Sequence, residues 1–301
     1  MPKLVECVPN FSEGRDHGVI EALCGAAGGA PGVALLDFSA DRDHNRSVFT
    51  LLGSPEGVAE AAFRMCAAAR DMIDMNSHTG GHPRVGATDV IPFVPIRGCD
   101  MGECVGISVD VARRIAGELQ IPCFLYEESC TREERRNLAD IRRGGFEGMA
   151  AKLLLDDWAP DFGGRAVHPT AGVSVVGARK PLIAFNVNLG VPDLKAAKDI
   201  AKAVRGSDGG LAHCKAIGVM LADRGVAQVS MNLTDYEKTP PHVAYEAVCA
   251  EAARRGVPVA GSEIVGLVPS SALAGGAKRY FKLENFDERR QLLENRILEY
   301  V

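Results

Sequence analysis

The sequence predicts an α/β (α+β) protein built from two related ferredoxin-like βαββαβ-type subdomains. Three observations carry this reading. Short apolar runs alternate with longer amphipathic ones along all 301 residues. From residue 180 onward the order is strand, helix, strand, strand, helix, strand, the split βαβ arrangement of a ferredoxin-like unit. The first half opens with the same strand, helix, strand, strand, helix. The repeat is one of element order, without evident sequence identity, and it divides the chain into residues 1–179 and 180–301.

Taken in order, Leu4 to Val8 reads as an opening strand, and Pro9 to Arg15 as a turn of small and polar groups. A helix follows from Asp16 to Ala27, stopped by the glycine-rich Gly28 to Gly32. Val33 to Phe38 and Arg46 to Leu52 are strands, joined by the charged loop Ser39 to Asn45. Ser54 caps a helix that Pro55 starts and that runs to about Met75, with Val58, Ala61, Ala62, Met65 and Cys66 on its buried side. Val90 to Ile96 holds two prolines, which cannot donate to a sheet ladder, so an edge or irregular strand is expected. Helices are expected over 100–119, 131–142 and 144–155, and a strand over 121–126. In the second half, strands are expected over 182–189, 216–221, 226–233 and 257–262. Helices are expected over 192–204 and 241–255, with a closing helix over 286–298.

The totals exclude several classes. A hydrophobic fraction of 47% supports a substantial core, and 24% charged residues is ordinary for a soluble globular protein. A net charge of −5 gives no general attraction to nucleic acid or to an anionic membrane. No apolar run approaches the roughly 18 residues of a membrane span, and the N-terminus lacks a signal-peptide pattern. Nine cysteines without a CxxC pair read as free thiols in a reducing cytoplasm, not as a zinc framework.

One stretch concentrates chemistry: His78 to Val90 packs two histidines, an arginine, an aspartate, three glycines and a proline into a connection between a helix and a strand. His82, locked against Pro83, is either a proton-transfer residue or a turn residue bonded to backbone. The four-residue spacing of His78 and His82 suits a helical zinc pair, but Gly80 and Gly81 between them disfavour a helix, so no metal is expected. A second cluster, Asp37, Asp41, Asp43, His44, Asn45 and Arg46, lies at a strand end. Its Arg46 guanidinium suits a carboxylate. A third, Asp161 to Gly172 with Arg179 and Lys180 beyond it, is either a ligand loop or a linker. Asn186, Asn188, Asn232 and Asp235 fall in apolar strands or at their ends. There they either satisfy one another or face a ligand cleft between the subdomains.

Residues, spacing and order together resemble the formiminotransferase family. The matching stretches are Leu4 to Gly14, Asn45-Arg46, Gly81 to Ala87, Asp157 to Gly163, Gly177 to Lys180, Ile183 to Leu189 and Val265 to Pro269, which together cover essentially the whole chain. The resemblance implies two α/β subdomains with a folate cleft between them, usually in a homodimer. It implies transfer of a formimino group between N-formimino-L-glutamate and N5 of tetrahydrofolate, in histidine degradation and one-carbon metabolism. Tetrahydrofolate is then a co-substrate, no metal is needed, and the partners are small molecules. Alternatives are the same fold acting on formimino-glycine or 5-formyltetrahydrofolate, or a non-catalytic folate carrier. The family's acid/base histidine falls on His82, with His78 as its support and Pro83-Arg84 as its brace. One group titrating near neutral pH could serve both the attacking and the leaving nitrogen. The folate-contacting loop falls on Gly163, Gly164, Arg165, Ala166, Val167, His168, Pro169, Thr170, Ala171 and Gly172. Asn10, Asn45, Arg46, Arg84, Arg179, Lys180, Asn186 and Asn188 are further substrate candidates. Some members carry an assisting aspartate where this chain has Ser39, a place that Asp41 or Asp43 could fill. With the chain ending at Val301 and no cyclodeaminase domain, the product is expected to pass to a separate cyclodeaminase.

Overall fold

The computed structural model describes residues 3–221, 224–273 and 280–300. The chain forms two compact units, Met1–Arg179 and Lys180–Val301. In the first, β1 (Leu4–Cys7), β2 (Asn10–Phe11), β3 (Val33–Asp41), β4 (Arg46–Gly53), β5 (Thr88–Arg97), β6 (Cys123–Glu127) and β7 (Ser174–Ala178) make one sheet. β1 and β2 are one line broken at Val8-Pro9, antiparallel to β4 on one side and β5 on the other. β3 extends the sheet beyond β4, while β7 and then β6 extend it in parallel beyond β5.

Helices α1 (His17–Gly28), α2 (Pro55–Met72) and α3 (Met101–Glu118) bury their apolar sides with this sheet in a core that includes Cys7, Phe11, Leu23, Phe49, Met65, Ile91, Phe93 and Ile115. α2 shows how sequence makes the packing. Val58, Ala61, Ala62, Met65, Cys66 and Ala69 recur at helical spacing and are all buried. Ser54 accepts from the Gly57 N–H at its start, a cap worth about 1 kcal/mol. Strand alternation sends the neighbouring residues Val90, Phe124 and Val175 into a smaller core on the other side, with Met149 of α5 (Gly145–Lys152).

The second unit runs β8 (Ile183–Leu189), α6 (Leu194–Val204), β9 (Cys214–Leu221), β10 (Val226–Leu233), α7 (Pro241–Arg254) and β11 (Val259–Val265). Its sheet order is β11-β8-β10-β9, all antiparallel. The line β5-β1-β4-β3 of the first unit has the same order and directions, so the two units share one architecture. Phe185, Val187 and Leu189 point into the core with α6 and α7. The alternate residues Asn186 and Asn188 join Gln228, Glu263 and Glu284 in a hydrogen-bonded layer. No helix among the described residues is long and apolar enough to cross a membrane.

The structure corrects four local expectations. β5 is not an edge: it pairs on both sides. Its prolines fall at irregular points, Pro92 facing the Val8-Pro9 break, where Val8 N–H donates to the Pro92 carbonyl, and Pro95 at the register shift between Leu4 and Val5. Residues 131–142 are not one helix. A 3₁₀ turn over Glu133–Arg135 precedes α4 (Leu138–Ile141), because the Arg136 carbonyl accepts from Glu127 N–H and Asn137 starts a new cap. β3 runs on through Ser39 to Asp41, pairing with β4 where a loop was expected. The closing helix is two, α8 (Glu288–Gln291) and α9 (Leu293–Tyr300). They part at Leu292, which bridges to Val268.

Candidate active site

The C-terminal end of β2 and the first residues of β4 and β5 meet at one end of the first sheet. Three separate motifs are sewn together there. Asn45 takes a left-handed backbone (φ 49°), which asparagine tolerates better than most residues. Its side-chain oxygen accepts from Gly14 N–H at 2.9 Å, and its amide donates to the Thr79 carbonyl at 3.0 Å. Gly81 N–H donates to the Asp43 carbonyl at 3.2 Å. Gly80 lies so close to this loop that a Cβ would overlap the His44 carbonyl and crowd the Asn45 side chain. The glycines therefore let His78 to His82 lie flat on residues 43–45.

His82 is half-buried at the centre. Arg46 Nη1 donates to its Nε2 at 2.7 Å. Arginine has no acceptor, so the Nε2 lone pair is occupied and the neutral ring carries its proton on Nδ1. The Pro83 backbone, which has only a carbonyl to offer, bonds to the same ring. Burial first, then Arg46, Arg142 and His44, push the imidazole down to about 2. The expected titration near neutral pH is absent in this arrangement, because burial and then three cationic or potentially cationic neighbours oppose protonation.

Arg46 is itself held by Asn10, whose Oδ1 accepts from Nε at 3.0 Å and from Nη2. Burial and Arg142 lower the guanidinium to about 10, against the opposite pull of Asp89 and Asp41. Arg142 pairs with Asp89, which also accepts from Val85 N–H at 2.9 Å. Arg84 makes a two-pronged pair with Glu147 at 3.0 and 2.7 Å, and its Nε donates to His78 Nδ1 at 3.1 Å. That leaves His78 Nε2 as the donor to the Asn45 carbonyl at 2.9 Å. His78 thus braces the backbone that presents Arg46, and both its nitrogens are engaged. Phe11, Ser12, His44, Arg46, His82 and Asp89 line a narrow recess at this end of the sheet.

Asp41 is tied to the loop. It accepts from the N–H groups of Asp43 and His44 at 2.9 and 2.8 Å and meets His44 Nδ1 at 2.9 Å. Burial works to raise its carboxyl, but the hydrogen bonds from His44 outweigh that and hold it below the usual range. His44 in turn stands edge-on to His82, with ring centroids 6.2 Å apart. Ser39 pairs with Val48 in the β3–β4 ladder.

The stretch Gly163 to Gly172 is fastened at both ends. Before it, buried Arg135 pairs with Asp161 at 3.1 Å and donates to the carbonyls of Asp157 and Ala159. Behind it, Gly172 (φ 73°) bridges to Gly86, and Ala87 N–H donates to the Ala171 carbonyl at 2.9 Å. The far end is thereby joined to the segment that carries His82. Between the anchors, Gly163, Gly164, Arg165 and Ala166 are exposed, Arg165 pairs with Asp156 at 2.8 Å, and His168 Nδ1 accepts from Ala171 N–H at 3.0 Å. Val167, Pro169 and Thr170 complete the turn, with the Thr170 carbonyl accepting from Met75 N–H at 2.9 Å.

Of the residues singled out from sequence, Asn10, Asn45, Arg46, His78, His82 and Arg84 are brought together. Arg179 is not among them: it lies beside Glu6 and Tyr126, where its charge opposes the upward shift that burial imposes on both. Lys180, Asn186 and Asn188 belong to the second unit, where Lys180 pairs with Asp235 at 2.9 Å. Asp89 and Arg142 were not read as parts of a charge network. Asp89 closes the glycine-rich motif and could have been suspected, whereas nothing near Arg142 marks it in the sequence.

Comparison with known proteins supplies the relatives. Residues 4–179 match the family described as "Formiminotransferase domain, N-terminal subdomain", and residues 184–298 match "Formiminotransferase domain". A glutamate formimidoyltransferase of Streptococcus pyogenes serotype M1 is 56% identical over 298 residues, spanning 99% of this chain and 100% of that one. One from Thermoplasma acidophilum is 47% identical over 95% of this chain and 94% of its own. The formimidoyltransferase-cyclodeaminase of Sus scrofa is 44% identical over 99% of this chain but only 57% of its own length.

Proposed function

The chain belongs to the formiminotransferase family, and we propose from this that it is a glutamate formimidoyltransferase, moving a formimino group between N-formimino-L-glutamate and N5 of tetrahydrofolate. The observation that carries the reading is the hydrogen-bonded line from Asn10 through Arg46 to the His82 imidazole, inside a chain 56% identical to a relative of that name along its full length.

In this reading the amine at N5 attacks the amidine carbon, and His82 Nε2 takes the proton that the attacking nitrogen loses. It returns that proton to the glutamate nitrogen as the carbon–nitrogen bond to glutamate breaks, so the imidazole ends as it began. The carbonyl of Pro83 holds the Nδ1 proton throughout. The exposed pair Gly163-Gly164 lets a flat ligand approach the backbone, and the far end of the stretch, at Ala171-Gly172, is bonded to the segment that bears His82. Holding two substrates in line can supply roughly 7–11 kcal/mol of the barrier at best. We further read the protein as a cytoplasmic homodimer serving histidine breakdown and one-carbon metabolism, with a separate cyclodeaminase taking its product. Relatives that carry both names in one longer chain support that pairing.

The test is a turnover assay of the purified protein with tetrahydrofolate and three donors side by side: N-formimino-L-glutamate, formimino-glycine and 5-formyltetrahydrofolate. Preference for the glutamate donor is expected. Folate binding without turnover on any donor would replace the reading with a carrier.

A further inference from the structure

Three arginines surround His82, and they are not equivalent. Arg84 has Glu147 and Arg142 has Asp89. Arg46 has no carboxylate bonded to it among the described residues, although Asp89 and Asp41 act on it from a distance: its direct partners are the neutral oxygen of Asn10 and the lone pair of His82. A partly buried cation without an anion is costly unless a ligand supplies one. It is also well shaped to receive a carboxylate on two nitrogens. The donation from Nη1 has a consequence for the chemistry. An imidazole whose lone pair already accepts from a guanidinium cannot take a proton from an attacking amine.

We propose that Arg46 is a positioning residue that keeps His82 idle until the formimino donor binds, when a carboxylate of that donor draws the guanidinium away and frees the Nε2 lone pair. This rests on the transferase reading above. The exchange acts twice on His82. It releases the lone pair, and it cancels the nearest positive charge, so that the imidazolium formed during proton transfer is tolerated. The other charged or titratable groups facing the ring are Arg142 after α4, His44 between β3 and β4, Asp41 at the end of β3, Asp89 at the start of β5, and Arg84 and His78 on its own loop. Arg84 and Arg142 already hold their own carboxylates, and the anions nearby, Asp41 and Asp89, are engaged with His44 and Arg142. With the protein's own carboxylates taken, the proposal assigns the bonded anion to the donor, and the probe used without folate tests that choice. The order that follows is that His82 is competent only in the donor complex, which guards against transfer to or from the folate when no glutamate is present.

The experiment follows the ring of His82 by NMR in protein labelled at histidine nitrogens, with N-formyl-L-glutamate as a non-reacting probe in the absence of folate. Free wild-type protein should show a neutral Nδ1–H ring that does not titrate between pH 8 and 5. The probe should bring its midpoint into that range, and the uncharged diamide of the same compound should not. In Arg46→Gln the free ring should titrate higher than in wild type and ignore the probe. KM for the donor should rise roughly 10- to 150-fold, the worth of one charge-assisted bond. Arg46→Lys, which keeps the charge, should fall between. The proposal is overturned if the probe leaves the His82 ring unchanged in a wild-type protein that turns over N-formimino-L-glutamate. It is also overturned if Arg46→Gln alters kcat alone. A wild-type protein with no turnover on that donor would instead defeat the transferase reading itself, whatever the ring does.

Discussion

His82→Gln separates proton transfer from packing. Glutamine places an oxygen near the position of Nε2, so the Arg46 guanidinium keeps an acceptor in place of the 2.7 Å bond it makes now. What is lost is the ability to carry a proton, together with the ring's bond to the Pro83 carbonyl. A positioned general acid and base contributes roughly 10²- to 10⁴-fold, or about 2.7–5.5 kcal/mol of barrier. Steady-state assay should therefore show kcat reduced by that factor, with KM for tetrahydrofolate within about threefold of wild type, a bound we take from the absence of any change in charge-assisted contacts. His82→Ala gives the contrast. It removes the acceptor as well and leaves Nη1 of Arg46 unanswered, adding about 1–3 kcal/mol of destabilisation measured by urea unfolding. If His82→Gln turns over within about tenfold of wild type, well below the smallest expected loss, His82 is not the proton carrier.

Three further outcomes follow from the same geometry. His82 stays neutral in the native protein down to about 2, while an unfolded imidazole binds its proton near 6.5. Below that value the unfolded chain holds more protons, so this contribution to stability is complete above about pH 6.5 and shrinks as pH falls. The urea midpoint should drop between pH 7.5 and 5 by less in His82→Gln than in wild type, and equal drops would remove His82 from the account. Gly80→Ala forces a Cβ into the His44 carbonyl and should cost about 1–3 kcal/mol, or roughly 2–12 °C in melting temperature; an unchanged thermogram would mean the two loops are not pressed together. Asp161→Asn strips the partner from Arg135, which is only 1% exposed, and should cost about 3–5 kcal/mol. Because that pair anchors the stretch before Gly163, KM for tetrahydrofolate should rise while kcat at saturation holds, and a loss in kcat alone would contradict the anchoring role.

The doubled ferredoxin-like order was legible because it rests on periodicity. Strands that alternate and helices that bury one side leave their marks in the apolar pattern, and α2 did so residue by residue. The misreadings share a cause, which is that a local rule met a tertiary exception. Proline argues against a central strand, yet Pro92 and Pro95 sit where the neighbouring line is broken or shifted and no ladder donor is required. Residues 131–142 carry a helical pattern, yet Arg135 is drawn inward by Asp161 and by two carbonyls, and the Arg136 carbonyl is claimed by Glu127. Those partners are distant in sequence, so no window of residues around the helix contains the information.

The site divides along the same line. Asn45 and Gly80 lie in the motifs singled out from sequence, and the structure gives each a backbone demand that few residues can meet, a left-handed turn in one case and a contact too close for a Cβ in the other. His82 was visible because it stands among them. Its working state was not. A histidine in a motif suggests a group near neutral pH, but here the ring is held neutral first by burial, then by Arg46, 36 residues away in the chain, and by Arg142 from a segment that carries no motif. In the proposed mechanism the motif selects the atom that carries the proton, and the arginines assembled around it by the fold decide when it can. A transferase that must hold two substrates before any bond is made gains from that division, because a base exposed at all times would be as ready to act on one substrate as on two.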